Sequence, residues 1–440
     1  MALGGNLQGL LFSMNYEESI DYLRDHIEQG VKPGLERMEQ LLEAMGSPHV
    51  GYPIIHVAGT NGKTSTSRMA TLLLVGHGLA TGTYISPHLQ RVEERFSING
   101  RHASPEDFAL AVTDVAVFAD LLEERGSEPH TYFELTTAAA FAFFAEKAVN
   151  SAVLEVGLGG RLDATNVVDA DVSVVTGIGV EHTEFLGEDI ATIAGEKLGI
   201  VGPGSILVTG DLPDDALAVA HQKARELGIQ HRVYEKDFGI SSAERGIRGW
   251  QVTVDGAETT YDDIFLPVHG RHQLHNFAVA VAAVEALLGR RLDVDAVREA
   301  MLTLTLPGRM EPVDTSPLVL LDGAHNADGV TTLVAALEEE YANAKWQIVL
   351  GIMGDKNIDA MIETLSRIAD GFVVTAPKSK RATPPAELAK RVAGLSQSPI
   401  LVADEVDYAL DMARAEAGPD GHVLVAGSLY LVGEARDHLV

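Results

Sequence analysis

The segment IHVAGTNGKTS, residues 55–65, has the residue types of a phosphate-binding loop. An apolar strand leads into a glycine-containing turn, and Lys63, Thr64 and a serine open a helix. Backbone amides at a helix N-terminus and the ammonium of Lys63 would bind nucleotide phosphates, and the Thr64 hydroxyl would join a Mg²⁺ shell. The usual spacing places glycine six residues before the lysine, where Val57 stands. The alternative is a tight strand-to-helix turn with an incidental lysine.

Two further residues, Glu155 and His182, could take part in metal or phosphate chemistry. Glu155 lies inside the apolar strand VLEVG, where an ionised carboxylate is costly unless it is paired or binds a metal. Its place near the end of a predicted parallel strand favours a magnesium ligand, and a partner arginine is the alternative. His182 follows another apolar strand and is either a metal or phosphate neighbour or a structural hydrogen-bonding residue. By composition alone Lys197, in a weakly polar helix, indicates no function.

Two polar clusters follow apolar strands near the C-terminus. LLDGAHN contains Asp322 and His325, and VAGS ends at Ser428. Polar side chains at the carboxyl ends of parallel strands are typical of ligand sites. We therefore expect this part of the chain to face a substrate, although neither cluster alone identifies the substrate.

Strands that alternate with helices predict an α/β fold for the elements that carry these residues. The expected architecture is a P-loop-type doubly wound ATPase domain followed by a smaller Rossmann-like α/β domain. The character of the sequence changes over about residues 206–268, where the alternation of polar and apolar residues in GWQVTVDGAETTYDDIFLPV, residues 249–268, predicts antiparallel hairpins. LPGRMEPV, residues 306–313, is predicted to be the hinge. The predicted domains are therefore residues 1–305 and 306–440.

The composition is that of a globular protein with two or three domains: 440 residues, 46% apolar and 22% charged. A net charge of −30 argues against nucleic-acid partners and anionic membrane surfaces. The absence of cysteine excludes disulfides and a cysteine nucleophile. The first residues lack the pattern of a signal peptide, so a cytoplasmic location is expected.

Together these segments resemble the Mur ligase superfamily of ATP-dependent amide-forming enzymes, and within it the folylpolyglutamate synthase/dihydrofolate synthase family. HVAGTNGK is shared with the superfamily. Eight blocks in order are similar to the folate branch: SPHLQRVEER, TYFELTT, LEVGLGGRLDATN, EHTEFLG, IAGEKLGI, LPGRME, LDGAHN and GSLYLVGE. The resemblance implies that the loop is a shorter ATP-binding form. Thr64 is a departure, because the folate branch often has glycine there and the cell-wall ligases have threonine.

The resemblance also assigns roles to residues of this chain. It implies catalytic roles for Lys63, His182, Lys197, Asp322 and His325. It implies nucleotide contacts for Gly59, Thr60, Asn61, Gly62, Lys63, Thr64, Ser65, Asn276, Arg309 and Asp322. It implies substrate contacts for Arg91, Thr131, Tyr132, Phe133, Glu134, Leu162, Asp163, Ala164 and Ser428. It implies metal contacts for Ser86, Glu155, His182 and Lys197.

The expected cofactors are ATP and two Mg²⁺ ions, one held through a carbamylated Lys197, with K⁺ as a further option. The expected reaction joins L-glutamate to dihydropteroate or to the γ-carboxylate of a glutamyl tetrahydrofolate, in a monomer with small-molecule partners only. One alternative is a cell-wall amino-acid ligase, for which we would expect a separate N-terminal nucleotide-sugar domain. Another is a P-loop switch protein, which would not need Asp322, His325 and Ser428.

Overall fold

The computed structural model describes residues 13–30 and 32–440, and the strands in these ranges form three sheets. The largest sheet has the order β4-β3-β2-β5-β1-β6-β7-β8. Its strands are β1 (Ile54–Ala58), β2 (Thr81–Tyr84), β3 (Phe96–Ile98), β4 (Arg101–His102), β5 (Ser151–Glu155), β6 (Val172–Val175), β7 (Ile206–Thr209) and β8 (His231–Val233). Strands β3 and β4 are antiparallel additions at one edge, and the other six strands are parallel.

Ten helices accompany this sheet in the described residues. They are α1 (Tyr16–Asp25), α2 (Glu36–Ala44), α3 (Lys63–Gly76), α4 (Pro105–Glu124), α5 (Tyr132–Glu146), α6 (Thr183–Leu186), α7 (Ile190–Lys197), α8 (Asp214–Leu227), α9 (His272–Leu288) and α10 (Val294–Leu302). Both faces of the sheet are covered: Val153 packs in a core with α3 and α9, and the adjacent Leu154 packs in a second core with α4 and α5. Burial on both faces explains why the parallel strands are continuous apolar runs.

The smallest sheet is antiparallel, with the order β11-β10-β9. Its strands are β9 (Gly239–Gly246), β10 (Gly249–Asp255) and β11 (Thr260–Leu266). The hairpins predicted from the alternation in residues 249–268 are confirmed by β10 and β11. The change in character expected from about residue 206 begins later, because residues 206–233 form β7, α8 and β8, which continue the parallel sheet.

The third sheet has the order β12-β13-β17-β14-β15-β16. Its strands are β12 (Glu311–Thr315), β13 (Leu318–Leu321), β14 (Trp346–Leu350), β15 (Ala369–Val374), β16 (Ile400–Val402) and β17 (His422–Ala426). Its helices are α11 (Ala327–Glu340), α12 (Ile358–Leu365), α13 (Pro385–Leu395), α14 (Val406–Ala417) and α15 (Leu429–Leu439). Helices α11 to α13 pack on one face, and α14 and α15 pack on the other.

The α/β class and the two parallel sheets confirm the predicted fold class. The predicted hinge is only partly irregular, because residues 311–315 form β12 and pair with β13. The division into domains at residues 305 and 306 stays a prediction. In the described part of the chain, no helix combines the length and the apolar character needed to cross a membrane.

Candidate active site

The loop of residues 59–65 connects β1 to α3 and packs closely against residues 176–177. Gly62 is the N-cap of α3 and has a φ of 86°, a conformation that side chains rarely adopt. A Cβ atom at Gly59 would collide with the Thr176 hydroxyl. Thr176 donates a 2.6 Å hydrogen bond to the carbonyl of Asn61, and the Thr60 amide donates to Gly177 at 2.8 Å. Glycine is therefore required where the loop approaches the ends of the strands.

Lys63 is the first residue of α3 and lies at the centre of this loop. Its ammonium donates hydrogen bonds to the carbonyls of Gly59 at 2.8 Å and Thr60 at 3.1 Å. The ammonium therefore lies against the loop that leads into the N-terminus of α3, where backbone amides can bind an anion. The phosphate-binding role of Lys63 stays a prediction.

Glu155 ends β5 and is 1% exposed. The Thr64 hydroxyl lies 2.9 Å and 3.0 Å from its two carboxylate oxygens and donates to them. Burial raises the pKa of Glu155 to about 7, although Lys63, Thr64 and Arg309 act in the opposite direction. In the described residues, no arginine makes an ion pair with Glu155. A buried carboxylate beside a loop hydroxyl and a phosphate-binding amine is a suitable oxygen donor for Mg²⁺.

Lys197 ends α7 and is 2% exposed. Its ammonium makes a 2.8 Å ion pair with Glu181 and donates to the Gly59 carbonyl at 3.0 Å. Burial lowers the pKa of Lys197, while Glu181 opposes this shift. Burial also tends to raise the pKa of Glu181, but Lys197 and Lys63 outweigh it and hold the value at about 2. His182 follows in a left-handed conformation with φ of 47°, and burial lowers its pKa.

The C-terminal sheet supplies the opposite wall of the site. Asp322 follows β13 and is buried; its carboxylate accepts hydrogen bonds from the amides of Met310 and Ala324, both at 2.8 Å. Burial raises the pKa of Asp322. His325 has its Nδ1 atom 2.8 Å from the Gly323 carbonyl, and burial lowers its pKa to about 4, so the ring is neutral near pH 7.

These residues surround one cleft of about 360 Å³ between the two parallel sheets. It is lined by the following predicted residues: Gly59, Thr60, Asn61, Gly62, Lys63, Thr64, Ser65, Ser86, Glu155, His182, Lys197, Asn276, Arg309, Asp322 and His325. The structure thus brings together every predicted catalytic, nucleotide and metal position. The loop of residues 59–65, Glu155 and Asp322 come from strand ends of the two sheets, whereas Lys197 and Asn276 come from helices α7 and α9. The individual roles stay predictions.

A second pocket of about 380 Å³ adjoins the cleft. The two cavities share Ser86, Pro87, Gly157, Leu158 and Gly159. Predicted substrate residues that line the second pocket are Thr131, Phe133, Glu134, Leu162, Asp163 and Ala164. A ligand in one cavity could therefore reach a ligand in the other without crossing a wall of the protein.

Two carboxylates of the second pocket are held by the protein itself. Glu134 accepts a 2.7 Å hydrogen bond from the Thr131 amide and forms an ion pair with Arg37 at 2.9 Å. These contacts form a helix-capping box at the start of α5 and tie α2 to it. Asp163 accepts from the Thr165 hydroxyl at 2.6 Å and from the Leu158 amide at 2.8 Å. Glu134 therefore caps its own helix, a role that is typical of the Thr-x-x-Glu pattern of residues 131–134.

Three predicted substrate residues do not line either cavity. Arg91 is exposed on the surface. Tyr132 lies under the guanidinium of Arg95, with 5.2 Å from the guanidinium carbon to the ring centroid. Ser428 is buried at the start of α15, where its hydroxyl accepts from the Tyr430 amide at 3.2 Å. The expectation that these three side chains contact substrate is therefore not matched by the lining of either cavity.

Several site residues were missed at the sequence level. Glu181 pairs with Lys197, and the only sequence signal was an acidic residue directly before His182. Arg95, from the quoted block SPHLQRVEER, lines the second pocket where Arg91 was expected to contribute. Residues at the start of α9, including His272, also line the cleft. The residues at the start of α9 carry no signal in the sequence, because their place in the cleft depends on where this helix begins in the fold.

Comparison with known proteins gives the class first. The Mur ligase middle domain matches residues 57–284, and the Mur ligase glutamate ligase domain matches residues 308–429. Together these matches define a Mur-type ligase, in agreement with the two facing sheets.

Similar proteins and structures then give the family. A dihydrofolate synthase/folylpolyglutamate synthase of Mycobacterium tuberculosis is 36% identical over 93% of this chain and 90% of its own length. The Bacillus subtilis protein of the same name is 33% identical over 96% and 99%. The structure of M. tuberculosis folylpolyglutamate synthase complexed with ADP has a TM-score of 0.91 at 34% identity, covering 97% of this chain and 99% of that one. An Escherichia coli FolC structure in complex with DHPP and ADP has a TM-score of 0.86 at 30% identity, covering 97% and 98%. The chain belongs to the dihydrofolate synthase/folylpolyglutamate synthase family of Mur ligases.

Proposed function

We propose that this ligase joins L-glutamate to dihydropteroate, to the γ-carboxylate of (poly)glutamyl tetrahydrofolate, or to both, with hydrolysis of ATP to ADP and phosphate. Membership of the family makes the chain an ATP-dependent ligase. The observation that carries the proposal is the continuity of the two cavities through residues 86–87 and 157–159. A nucleotide bound at the loop of residues 59–65 would direct its terminal phosphate toward a carboxylate held from the second pocket.

The chemistry proceeds through an acyl phosphate. One carboxylate oxygen of the folate-type substrate attacks the γ-phosphorus of ATP, and the bond to the leaving ADP oxygen breaks. The amine of L-glutamate then attacks the acyl carbon, an amide bond forms, and phosphate leaves with the former carboxylate oxygen. Lys63 and the first amides of α3 would stabilise the negative charge on the transferred phosphoryl group. No covalent protein intermediate is needed.

The residues of the cleft suit a magnesium ion. Mg²⁺ is bound by oxygen ligands, typically one or two carboxylates together with substrate phosphates. The Glu155 carboxylate, the Thr64 hydroxyl bonded to it and the adjacent Ser86 supply such oxygens. When bound, the ion would offset charge on the phosphates. His182, placed in the cleft beside Glu181, is a further candidate ligand.

We assign Lys197 as the site of carbamylation for a second magnesium ion. Carbon dioxide reacts with a neutral amine, and the burial that lowers the pKa of Lys197 favours that form. The ion pair with Glu181 stabilises the charged amine and so opposes carbamylation. On carbamylation Lys197 would lose this ion pair, and the negative carbamate would pair with a cation instead. Intact-protein mass measured with and without bicarbonate tests the assignment, which requires an added mass that disappears in a Lys197→Ala variant.

The C-terminal domain, residues 306–440, would bring L-glutamate to the acyl phosphate. Asp322 and His325 face the phosphate loop across the cleft, and Asn326 contacts Asn61 at 3.2 Å. Ser428 lies at the start of α15, next to Leu429 of the cleft lining. Closure of this wall would exclude water, which would otherwise hydrolyse the intermediate.

The experiment that tests the function supplies Mg-ATP and L-glutamate with either dihydropteroate or tetrahydrofolate and identifies the products by mass spectrometry. One added glutamate on dihydropteroate, extension of tetrahydrofolate, or both, would support the proposal and define the activity. Consumption of ATP without either product would contradict it and favour the cell-wall ligase alternative, which the same assay can address with a nucleotide-linked sugar peptide.

Lys63→Ala provides the matched control for this assay. The variant should lose at least about 1,000-fold in turnover, since removal of a single group that stabilises transition-state charge costs about 100- to 1,000-fold and this cation also binds the ground state. The thermal unfolding midpoint should change little, because among the described residues the ammonium of Lys63 bonds to its own loop alone. Wild-type turnover in the variant would refute the assigned role.

A further inference from the structure

Helix α11 runs along the nucleotide cleft and touches the larger domain at both of its ends. At its start, Asn326 donates a 3.2 Å hydrogen bond to Asn61 of the phosphate loop. Along its length, Thr332 and Leu333 line the cleft. At its last residue, Glu340 contacts the segment that precedes α9. The helix has 14 residues, so it spans about 20 Å at 1.5 Å per residue.

The contact at the end of α11 is a buried carboxylate with several donors. Glu340 Oε1 accepts a 2.5 Å hydrogen bond from the Gly270 amide, and Oε2 lies 2.7 Å from His269 Nδ1. The guanidinium of Arg245 lies 3.7 Å from Oε2. The Glu340 side chain is 1% exposed. Burial tends to raise the pKa of Glu340, but the bonds from His269 and Gly270 outweigh it and lower the value.

The end of α11 is an unfavourable place for acidic residues. Glu338, Glu339 and Glu340 are its last three residues, although the partial negative charge at a helix C-terminus favours cations there. Each carboxylate has a basic partner: Arg367 at 2.7 Å, Arg271 at 2.9 Å and His269, respectively. Acidic residues at a helix C-terminus are expected only where contacts to other elements compensate for the unfavourable charge.

The segment that Glu340 holds leads directly into the nucleotide cleft. Gly270 has a φ of 85°, and a Cβ atom there would collide with the ring of His272 and approach Met310 of the hinge. His272 is the first residue of α9, and Asn276, one turn later, lines the cleft beside Gly62. Displacement of Gly270 would therefore move the first turn of α9.

We propose that Glu340 is a positioning residue for nucleotide binding. Its hydrogen bond with Gly270 holds the end of α11 in place and thereby fixes the distance between α11 and α9 across the cleft. This inference rests on the proposed nucleotide site and adds a residue outside it, since Glu340 does not line the cleft. The adjacent pair of Glu339 with Arg271 is half exposed and contributes little, because solvent screens it.

The test compares Glu340→Ala with the matched control Glu339→Ala, using ADP binding measured by titration calorimetry. Glu340→Ala should weaken ADP binding at least about fivefold, the lower end of usual coupling between sites. Glu339→Ala should change it less than about twofold. Glu340→Gln should lie between them, since the amide oxygen can accept from Gly270 but the amide nitrogen cannot replace the carboxylate at His269.

A second readout separates positioning from stability. The chain has no cysteine, so Gln222→Cys on α8 and Glu363→Cys on α12 allow two spin labels, one on each domain. The distance distribution between them should be narrow in the parent and broader with Glu340→Ala. Unchanged ADP affinity and an unchanged distribution, even with a lower unfolding midpoint, would overturn the proposal. If Glu340→Ala fails to fold, Glu340→Gln with ADP affinity within about twofold of the parent overturns it equally. Failure of the parent to bind ADP would instead contradict the proposed function.

Discussion

Replacement of Thr165 by valine tests how the second pocket is organised. The hydroxyl hydrogen of Thr165 is given to Asp163 at 2.6 Å, so the hydroxyl oxygen must accept from His56 Nε2, which lies 2.8 Å away. Burial lowers the pKa of His56 to about 3, and the neutral ring therefore carries its proton on Nε2. His56 is on the central strand β1, so the chain of hydrogen bonds connects the core of the sheet to the pocket carboxylate.

The expected loss follows from these contacts. Valine removes a hydrogen bond to a charged group, which contributes about 1.5–3 kcal/mol, and leaves the His56 donor unsatisfied at a cost of about 1–3 kcal/mol. In the described residues the other ring nitrogen of His56 already has no partner, so the ring cannot compensate by a flip. We expect a destabilisation of about 3 kcal/mol at a pH where Asp163 is ionised.

The pH dependence has a definite sign. Burial raises the pKa of Asp163, and the Thr165 hydroxyl acts to lower it, so the valine variant has a still higher pKa. The part of the lost stabilisation that comes from the hydrogen bond to the carboxylate exists only where Asp163 is ionised. The stability difference between the two proteins should therefore shrink as the pH falls through the pKa of Asp163 in the folded state.

Thermal unfolding across a pH series measures this difference, and Thr165→Ser, which keeps the hydroxyl, is the control.

The Michaelis constant for the pterin substrate should also rise by about tenfold, the effect of 1.4 kcal/mol, while that for ATP should not. Equal unfolding midpoints for wild type and Thr165→Val at neutral pH, or a difference that grows in acid, would refute the reasoning.

Two further predictions concern packing between elements. Gly433→Ala on α15 should destabilise the protein by about 1–3 kcal/mol and slow turnover, because the new methyl group would collide with the Leu89 carbonyl. Gly394→Ala, at an exposed position of α13 with open space around it, should instead stabilise the protein by up to about 1 kcal/mol. Equal effects of the two alanines in thermal unfolding would contradict the close contact. Arg37→Ala should destabilise by about 3 kcal/mol in the same assay, since it leaves the buried carboxylate of Glu134 without its cation; an unchanged midpoint would show that the ion pair is dispensable.

The sequence predicted the site best where residues follow parallel strands. Lys63 and Glu155 each lie at or just after the end of a strand of the large sheet, and parallel strands place these ends along one edge. The apolar strand runs and the glycine-containing loop therefore indicated this side of the cleft. Asp322 follows a strand of another sheet, so its place in the same cleft was expected only from the family resemblance. The family resemblance was needed for Lys197, whose helix has no distinctive composition.

Other features depend on contacts that a linear pattern does not contain. Glu181 acquires its importance only because α7 places Lys197 within 2.8 Å of it. Glu134 was expected to contact substrate, yet it pairs with Arg37, which lies 97 residues away in the sequence. The extension of the large sheet by β7 and β8 was missed because short apolar strands have no periodicity that separates parallel from antiparallel pairing.

Transfer of oxygen from the substrate carboxylate to phosphate tests the central claim most directly. Dihydropteroate or a tetrahydrofolate with ¹⁸O in both oxygens of the reacting carboxylate would be converted with unlabelled ATP and L-glutamate. The acyl-phosphate route predicts one ¹⁸O atom in each phosphate released and one retained in the amide. Phosphate without ¹⁸O, formed together with the amide product, would contradict attack of the carboxylate on the γ-phosphorus.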